Sequence, residues 1–186
     1  MLLSERVAQI ADTMIRLPPG PLAALRRMDP AGPGTAAFWQ LASRGGFLDA
    51  EPEPWMRLVR IMAILVPPGE PGQRPPLHNP IRGLGTVLCD GGDPGWPEAG
   101  QSQPVVSETR LAHLLAQRPE QRRRTLERVA RMLAQPPGLK AGVNCTDLAV
   151  LVLARNNGNQ PARLAQSYYR RLDSARRKNT EQEATA

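Results

Sequence analysis

Arg124, Arg128 and Arg131 are spaced i, i+4, i+7, so a helix through them carries three guanidinium groups on one stripe, with Arg122 and Arg123 flanking it. A second set, Arg163, Arg170, Arg171, Arg176 and Arg177, falls on the polar side of a pattern whose apolar positions are Leu164, Ala165, Tyr168 and Leu172. The planar guanidinium grips two phosphate oxygens at once and keeps its charge at every working pH. Rows of it on helix faces can follow a nucleic-acid strand along its backbone. No stretch supplies Asn, Gln and Arg at base-reading positions of a recognition helix, so the expected contact is with phosphates rather than base edges.

Residues suited to covalent or metal chemistry are few. His78 and His113 are the only histidines, and neither stands at a metal-ligand spacing from Cys89 or Cys145. Cys145 precedes an expected helix N-terminus, a position that lowers a thiol's pKa, but no base is evident near it in sequence. Arg82-Gly83-Leu84-Gly85 lacks the third glycine and the Lys-Ser/Thr of a phosphate-cradling loop, and no strand precedes it. The carboxylates are scattered among arginines and read as ordinary ion pairs. The sequence therefore reads as non-enzymatic, with no metal site and no cofactor.

The charge is unevenly placed. Residues 107–178 hold 13 Arg and 2 Lys against five acids, whereas residues 1–106 hold 9 Arg against 10 acids. A genome rich in G and C explains why the chain has 22 Arg and 2 Lys, but not why one half holds the excess. A clustered positive field attracts polyanions, because neutralising phosphates releases condensed counterions. The same field also suits an adaptor that docks an acidic protein partner.

The elements that must carry these groups are helices broken by proline and glycine. Residues 3–16 put Val7, Ile10, Ala11 and Met14 on one stripe, a brief helix follows from Pro21 to Arg27, and residues 35–43 make another with Phe38, Leu41 and Ala42 inward. The helix opened by Pro54 has Trp55, Leu58, Val59, Met62 and Leu65 as its apolar face, and Trp39 and Trp55 are expected as core anchors. Residues 67–104 hold nine prolines and eight glycines and read mostly as loop, with a short helix within 81–90. Further on, Ser107 caps a helix to about Gln117 and Pro119 opens one to about Ala134. Thr146 caps an apolar helix over 148–154 that must be central because it is apolar all round. Asn156-Asn157-Gly158 is a stop, and Pro161 opens a last helix to about Lys178.

No segment alternates as a strand does, so the expected fold class is all-α. It is divided into an N-terminal helical lobe (1–90), a Pro/Gly-rich linker (91–104), a C-terminal basic antiparallel four-helix bundle (105–178) and a polar tail (179–186). Two unpaired-looking cysteines fit a reducing compartment. The first residues are amphipathic and carry Glu5 and Asp12, and no apolar run approaches the ~20 residues of a spanning helix. The expectation is a cytoplasmic protein without a membrane partner.

The order of several segments resembles the CasB family, the small subunit of the type I-E CRISPR Cascade complex. The segments are PLAALRRMDPAGPGTAAFWQLA, WMRLVRIMAIL, VSETRLAHLLAQRPEQRRRTLERVARML and PARLAQSYYRRLD, which together cover most of residues 20–173. The ALRR turn and the S-E-x-R-L-x-x-L-L run are the most specific. Residues 67–104 depart from the family through their density of Pro and Gly. The resemblance implies a two-lobed helical subunit that self-associates as a dimer and packs on the backbone and large subunits. It implies contact with target DNA, the displaced strand and guide RNA, stabilising the R-loop without catalysis, where modest backbone contacts decide a nearly balanced exchange. Carried onto this chain, the nucleic-acid-binding residues are Arg26 and Arg27 of the ALRR turn, Arg60, and Arg118, Arg122, Arg123, Arg124, Arg128 and Arg131. Arg163, Arg170 and Arg171 complete the set.

Overall fold

A computed structural model describes residues 1–97, 103–154 and 158–183, with side chains to residue 180. The chain is all-α among these residues: α1 (Leu3–Ile15), α2 (Pro19–Arg27), α3 (Ala36–Gly45), α4 (Pro52–Leu65), α5 (Leu84–Asp90), α6 (Glu108–Ala116), α7 (Pro119–Leu133), α8 (Cys145–Leu153) and α9 (Gln160–Glu183). No helix among them is long and apolar enough to cross a membrane. The expected stop at Asn156-Asn157, the centre of the expected linker and the end of the tail lie outside the described residues.

The boundaries follow local chemistry. Prolines in the first turn of α2, α4 and α7 cost no hydrogen bond, because the first N–H groups of a helix have no internal acceptor. Thr35 caps α3 and Ser107 caps α6, each hydroxyl accepting from a first-turn N–H. Gly46 ends α3 in the left-handed conformation. The cap of α8 is Asn144 rather than Thr146: the Asn144 carboxamide oxygen accepts from the Thr146 N–H at 3.0 Å, two residues earlier than the apolar pattern alone places the cap.

The apolar stripes meet in one cluster that draws on helices from both ends of the chain. Helix α8, apolar nearly all round, packs on α1 and α4 as well as on α7 and α9, and α4 packs on α2 and α7. The charge boundary near residues 91–104 is thus not a boundary of the apolar core. Trp55 is buried and stacks on Phe47 with ring centroids 4.3 Å apart. Trp39, expected as a second anchor, stays at the surface, its indole N–H donating to the Pro33 carbonyl at 3.0 Å. Ile81 is also exposed, because α5 begins only at Leu84.

The most extensive helix pair is α5 on α9. It depends on Gly85: a Cβ there would lie 2.0 Å from the Leu164 carbonyl oxygen and 2.8 Å from the Tyr168 nitrogen. At the end of the same pair, the Asp90 carboxylate is fully buried and accepts from Arg82 and Arg171, each at 2.9 Å. The Tyr168 hydroxyl donates to the Val106 carbonyl at 2.6 Å and ties α9 to the entry of α6.

Two outcomes test this packing. Gly85→Ala should destabilise the fold by about 3 kcal/mol, measured as a lowered urea midpoint, because backbone rather than a flexible side chain blocks the methyl. The second concerns His78, whose Nδ1 accepts from the Cys145 N–H at 3.1 Å and whose pKa is lowered by burial, with Asp147 opposing. The unfolded chain binds that proton more tightly. The contact's stabilisation is therefore complete above the ordinary imidazole value of about 6.5 and is lost as pH falls through the lower folded value. Urea midpoints should fall on acidification below about pH 6.5, and His78→Asn, which keeps an acceptor that does not titrate, should flatten that fall.

Candidate nucleic-acid interface

Helix α7 buries Leu126, Ala130 and Leu133. At about 100° per residue, positions 122 and 123 lie within roughly 60° of Leu126, while 124, 128 and 131 lie on the opposite side. The structure follows this geometry. Arg122 and Arg123 are only 7% and 6% exposed and do not flank an outward stripe. Arg122 donates to the carbonyls of Leu114, Leu115 and Gln117 at the end of α6, the shortest contact being 2.7 Å. Arg123 donates to the Val152 carbonyl at the end of α8 at 2.7 Å and pairs with Glu120. Burial lowers the Arg122 pKa, yet the guanidinium stays protonated at any working pH.

Arg124, Arg128 and Arg131 are exposed, as their spacing predicts. Arg128 donates to the Thr125 hydroxyl at 3.3 Å, and Arg131 pairs with Glu127 at 2.8 Å. Arg118 is exposed at the N-cap of α7 and lines a surface cleft with Glu51 and Glu53.

On α9, Arg163 and Arg170 are exposed, whereas Arg171 is turned inward, contrary to the outward orientation its pattern suggests. Its Nε donates to Asp90 at 2.9 Å, its Nη2 donates to the carbonyls of Pro94 and Trp96, and the guanidinium lies 5.5 Å from the Trp96 ring centroid. A buried carboxylate needs a cation, and Arg171 sits one position from Arg170 on the side facing α5. Arg170, Arg177 and Lys178 line a shallow surface cleft with Asp173 and Ser174. Arg176 pairs with Glu108 at 2.9 Å, which joins α9 to α6.

The arginines of the first half divide in the same way. Arg26 donates to the carbonyls of Ala63 and Val66 at 2.9 and 3.3 Å, and its pKa is lowered by burial and then by Arg74. Arg60 donates to the Arg26 carbonyl at 3.2 Å and pairs with Glu127 at 3.2 Å. Arg27 is exposed. The structure therefore brings Arg60 and Arg131 onto one carboxylate, Glu127, and places Arg26 and Arg131 in one cleft of about 610 Å³ between α2, α4 and the end of α7. Arg27, Arg118, Arg124, Arg163 and Arg170 are exposed at other points around the fold.

Sequence reading missed a second groove. Arg110 and His113 of α6 face Thr125, Arg128, Val129 and Met132 of α7 across about 580 Å³. The spacing of those four α7 residues, i, i+3, i+4, i+7, marks a stripe in the sequence, but nothing there says which helix lies opposite.

Cys145 does not behave as a helix N-terminus alone would make it. It is fully buried, and burial, with Asp147 adding to it, pushes the thiol up to about 12. Desolvation outweighs the helix dipole here. Cys89 is likewise buried and pushed up to about 12. Among the described residues no group of three or more His, Cys, Asp and Glu is placed to hold a metal ion.

No curated protein and no solved structure matches this chain. A family model does: that of CRISPR-associated protein Cse2 matches residues 21–180, from the first turn of α2 into the last turns of α9. The match spans most of the chain, which therefore belongs to the Cse2, or CasB, family, the small subunit of the type I-E CRISPR Cascade complex.

Proposed function

We propose that the chain holds the target and displaced DNA strands, and guide RNA, through arginine–phosphate contacts and so stabilises the R-loop without catalysing a reaction. The observation that carries this reading is the outward stripe of Arg124, Arg128 and Arg131 on α7, which continues past Glu127 to Arg60 and the cleft shared with Arg26. Arg163 and Arg170 on α9 extend the exposed charge, and Arg27 and Arg118 add to it. Because opening DNA against a guide is nearly balanced, a few phosphate contacts shift the open state's population. Self-association as a dimer, packing on the backbone and large subunits, and a cytoplasmic location complete the reading.

Contact with backbone phosphates makes affinity fall with salt, by about 0.7 in log–log slope per phosphate neutralised on a single strand. Combined reversal of Arg124, Arg128 and Arg131 to Glu should therefore weaken binding of single-stranded DNA and flatten the salt slope by about 2. Filter binding across a salt series measures both, and an unchanged slope sinks the proposal. If the basic face instead docks an acidic protein, the unaltered chain shows little affinity for single-stranded DNA. Arg123→Met provides the contrast. It should lower stability by about 2 kcal/mol, by leaving the Val152 carbonyl without its partner, while DNA affinity per folded molecule stays unchanged.

A further inference from the structure

The groove between α6 and α7 has a chemistry that the phosphate-tracking stripe lacks. Its floor is apolar, formed by Val106, Val129 and Met132, and its rim carries Arg110, His113 and Arg128. Two threonine hydroxyls, Thr109 and Thr125, stand on the walls. No carboxylate is among the described residues that line it. The neighbouring acids are engaged elsewhere: Glu108 with Arg176 at 2.9 Å, Glu127 with Arg131 and Arg60 at 2.8 and 3.2 Å, and Glu120 with Arg123. Among the described residues, the acids nearest the positive rim are thus paired elsewhere. Arg128 is steadied by the Thr125 hydroxyl at 3.3 Å, which sets its guanidinium beside the groove.

We infer that this groove receives one unstacked nucleotide of a single strand, its base on the apolar floor and its phosphate between Arg110 and Arg128. The inference rests on the nucleic-acid reading above and deepens it. The volume of about 580 Å³ is that of a small-ligand site and leaves room for one planar base. A thioether against an aromatic ring is a favourable contact, so Met132 suits a base face better than an aliphatic floor alone. The hydroxyls offer donors and acceptors to base or sugar without selecting one base, since each hydroxyl can serve either way. Contact of an apolar floor and a thioether with a base face tolerates any sequence, because every base has a π-face. The groove thus adds affinity for unpaired strands over duplex, where stacked bases are out of reach.

The experiment compares an oligothymidylate with an abasic oligodeoxyribose phosphate of the same length, each titrated against the full chain. The thymidylate should bind at least about twofold tighter. Met132→Ala should remove most of that advantage while leaving abasic binding unchanged, and Arg110→Gln with Arg128→Gln should weaken both. Thermal melting checks that the variants fold, and a 5-iodouracil photocrosslink mapped to residues 106–132 of the unaltered chain gives an answer independent of them. Equal binding of the two oligonucleotides overturns the groove assignment and leaves the phosphate-stripe reading standing. Failure of both to bind overturns both readings. Suppression of crosslinking by an acidic amphipathic peptide added before irradiation, but not by unlabelled thymidylate, would give the groove to a protein partner instead.

Discussion

The fold depends on arginines that close the ends of other helices. The last carbonyls of a helix have no internal donor and sit at the negative end of its dipole, so a buried helix end needs a cationic donor. Arg74 supplies it to Ile15 and Leu17 after α1, Arg60 to Arg26 at the end of α2, and Arg26 to Ala63 and Val66 after α4. Arg122 does the same for α6 and Arg123 for α8. Arg122 holds the end of the helix just before its own, the other clamps join elements distant in the chain, and α2 and α4 clamp each other. A chain with 4% aromatic residues and many short helices gains register from these directional contacts that a non-directional apolar core does not provide.

One further charged contact orients the longest helix. Asp90 has no exposure to water, and the two guanidiniums beside it, with the Gly92 N–H at 2.9 Å, satisfy its oxygens. Breaking such a set leaves a charge stranded in the interior, so it specifies one orientation even where its net stabilisation is small. With Gly85 allowing close approach, α9 is locked by Arg171 and Tyr168 on its inner side. That leaves Arg163, Arg170 and Arg177, one heptad apart, along the opposite side at intervals of about 10.5 Å.

The same residue type therefore does two jobs that net charge cannot separate. Arg122, Arg123 and Arg171 contribute fully to the formal charge, yet their donors are occupied by carbonyls and carboxylates of the protein itself. Buried arginine charge still adds to the long-range field around the molecule. The guanidiniums left open to solvent form a set of stripes and clefts rather than a uniform coat.

Much of the fold was legible in sequence because helices announce themselves locally. The i, i+3, i+4 spacing of Val7, Ile10, Ala11 and Met14, the prolines at first turns and the Ser107 cap act within a few residues, and the structure keeps them. The outward stripe on α7 was legible for the same reason, and the inward turn of Arg122 and Arg123 was implicit in its periodicity. What sequence did not determine is which helix end each arginine reaches: Arg26 to Val66, Arg123 to Val152 and Arg171 to Asp90 are contacts across 40, 29 and 81 positions. Nor did it determine that the desolvated Cys145 loses the effect of its helix terminus, or that α6 lies against the Thr125–Met132 stripe to make a groove. Those were decided by tertiary packing, because burial and the identity of a distant neighbour set a side chain's partners, and neither is a property of local spacing.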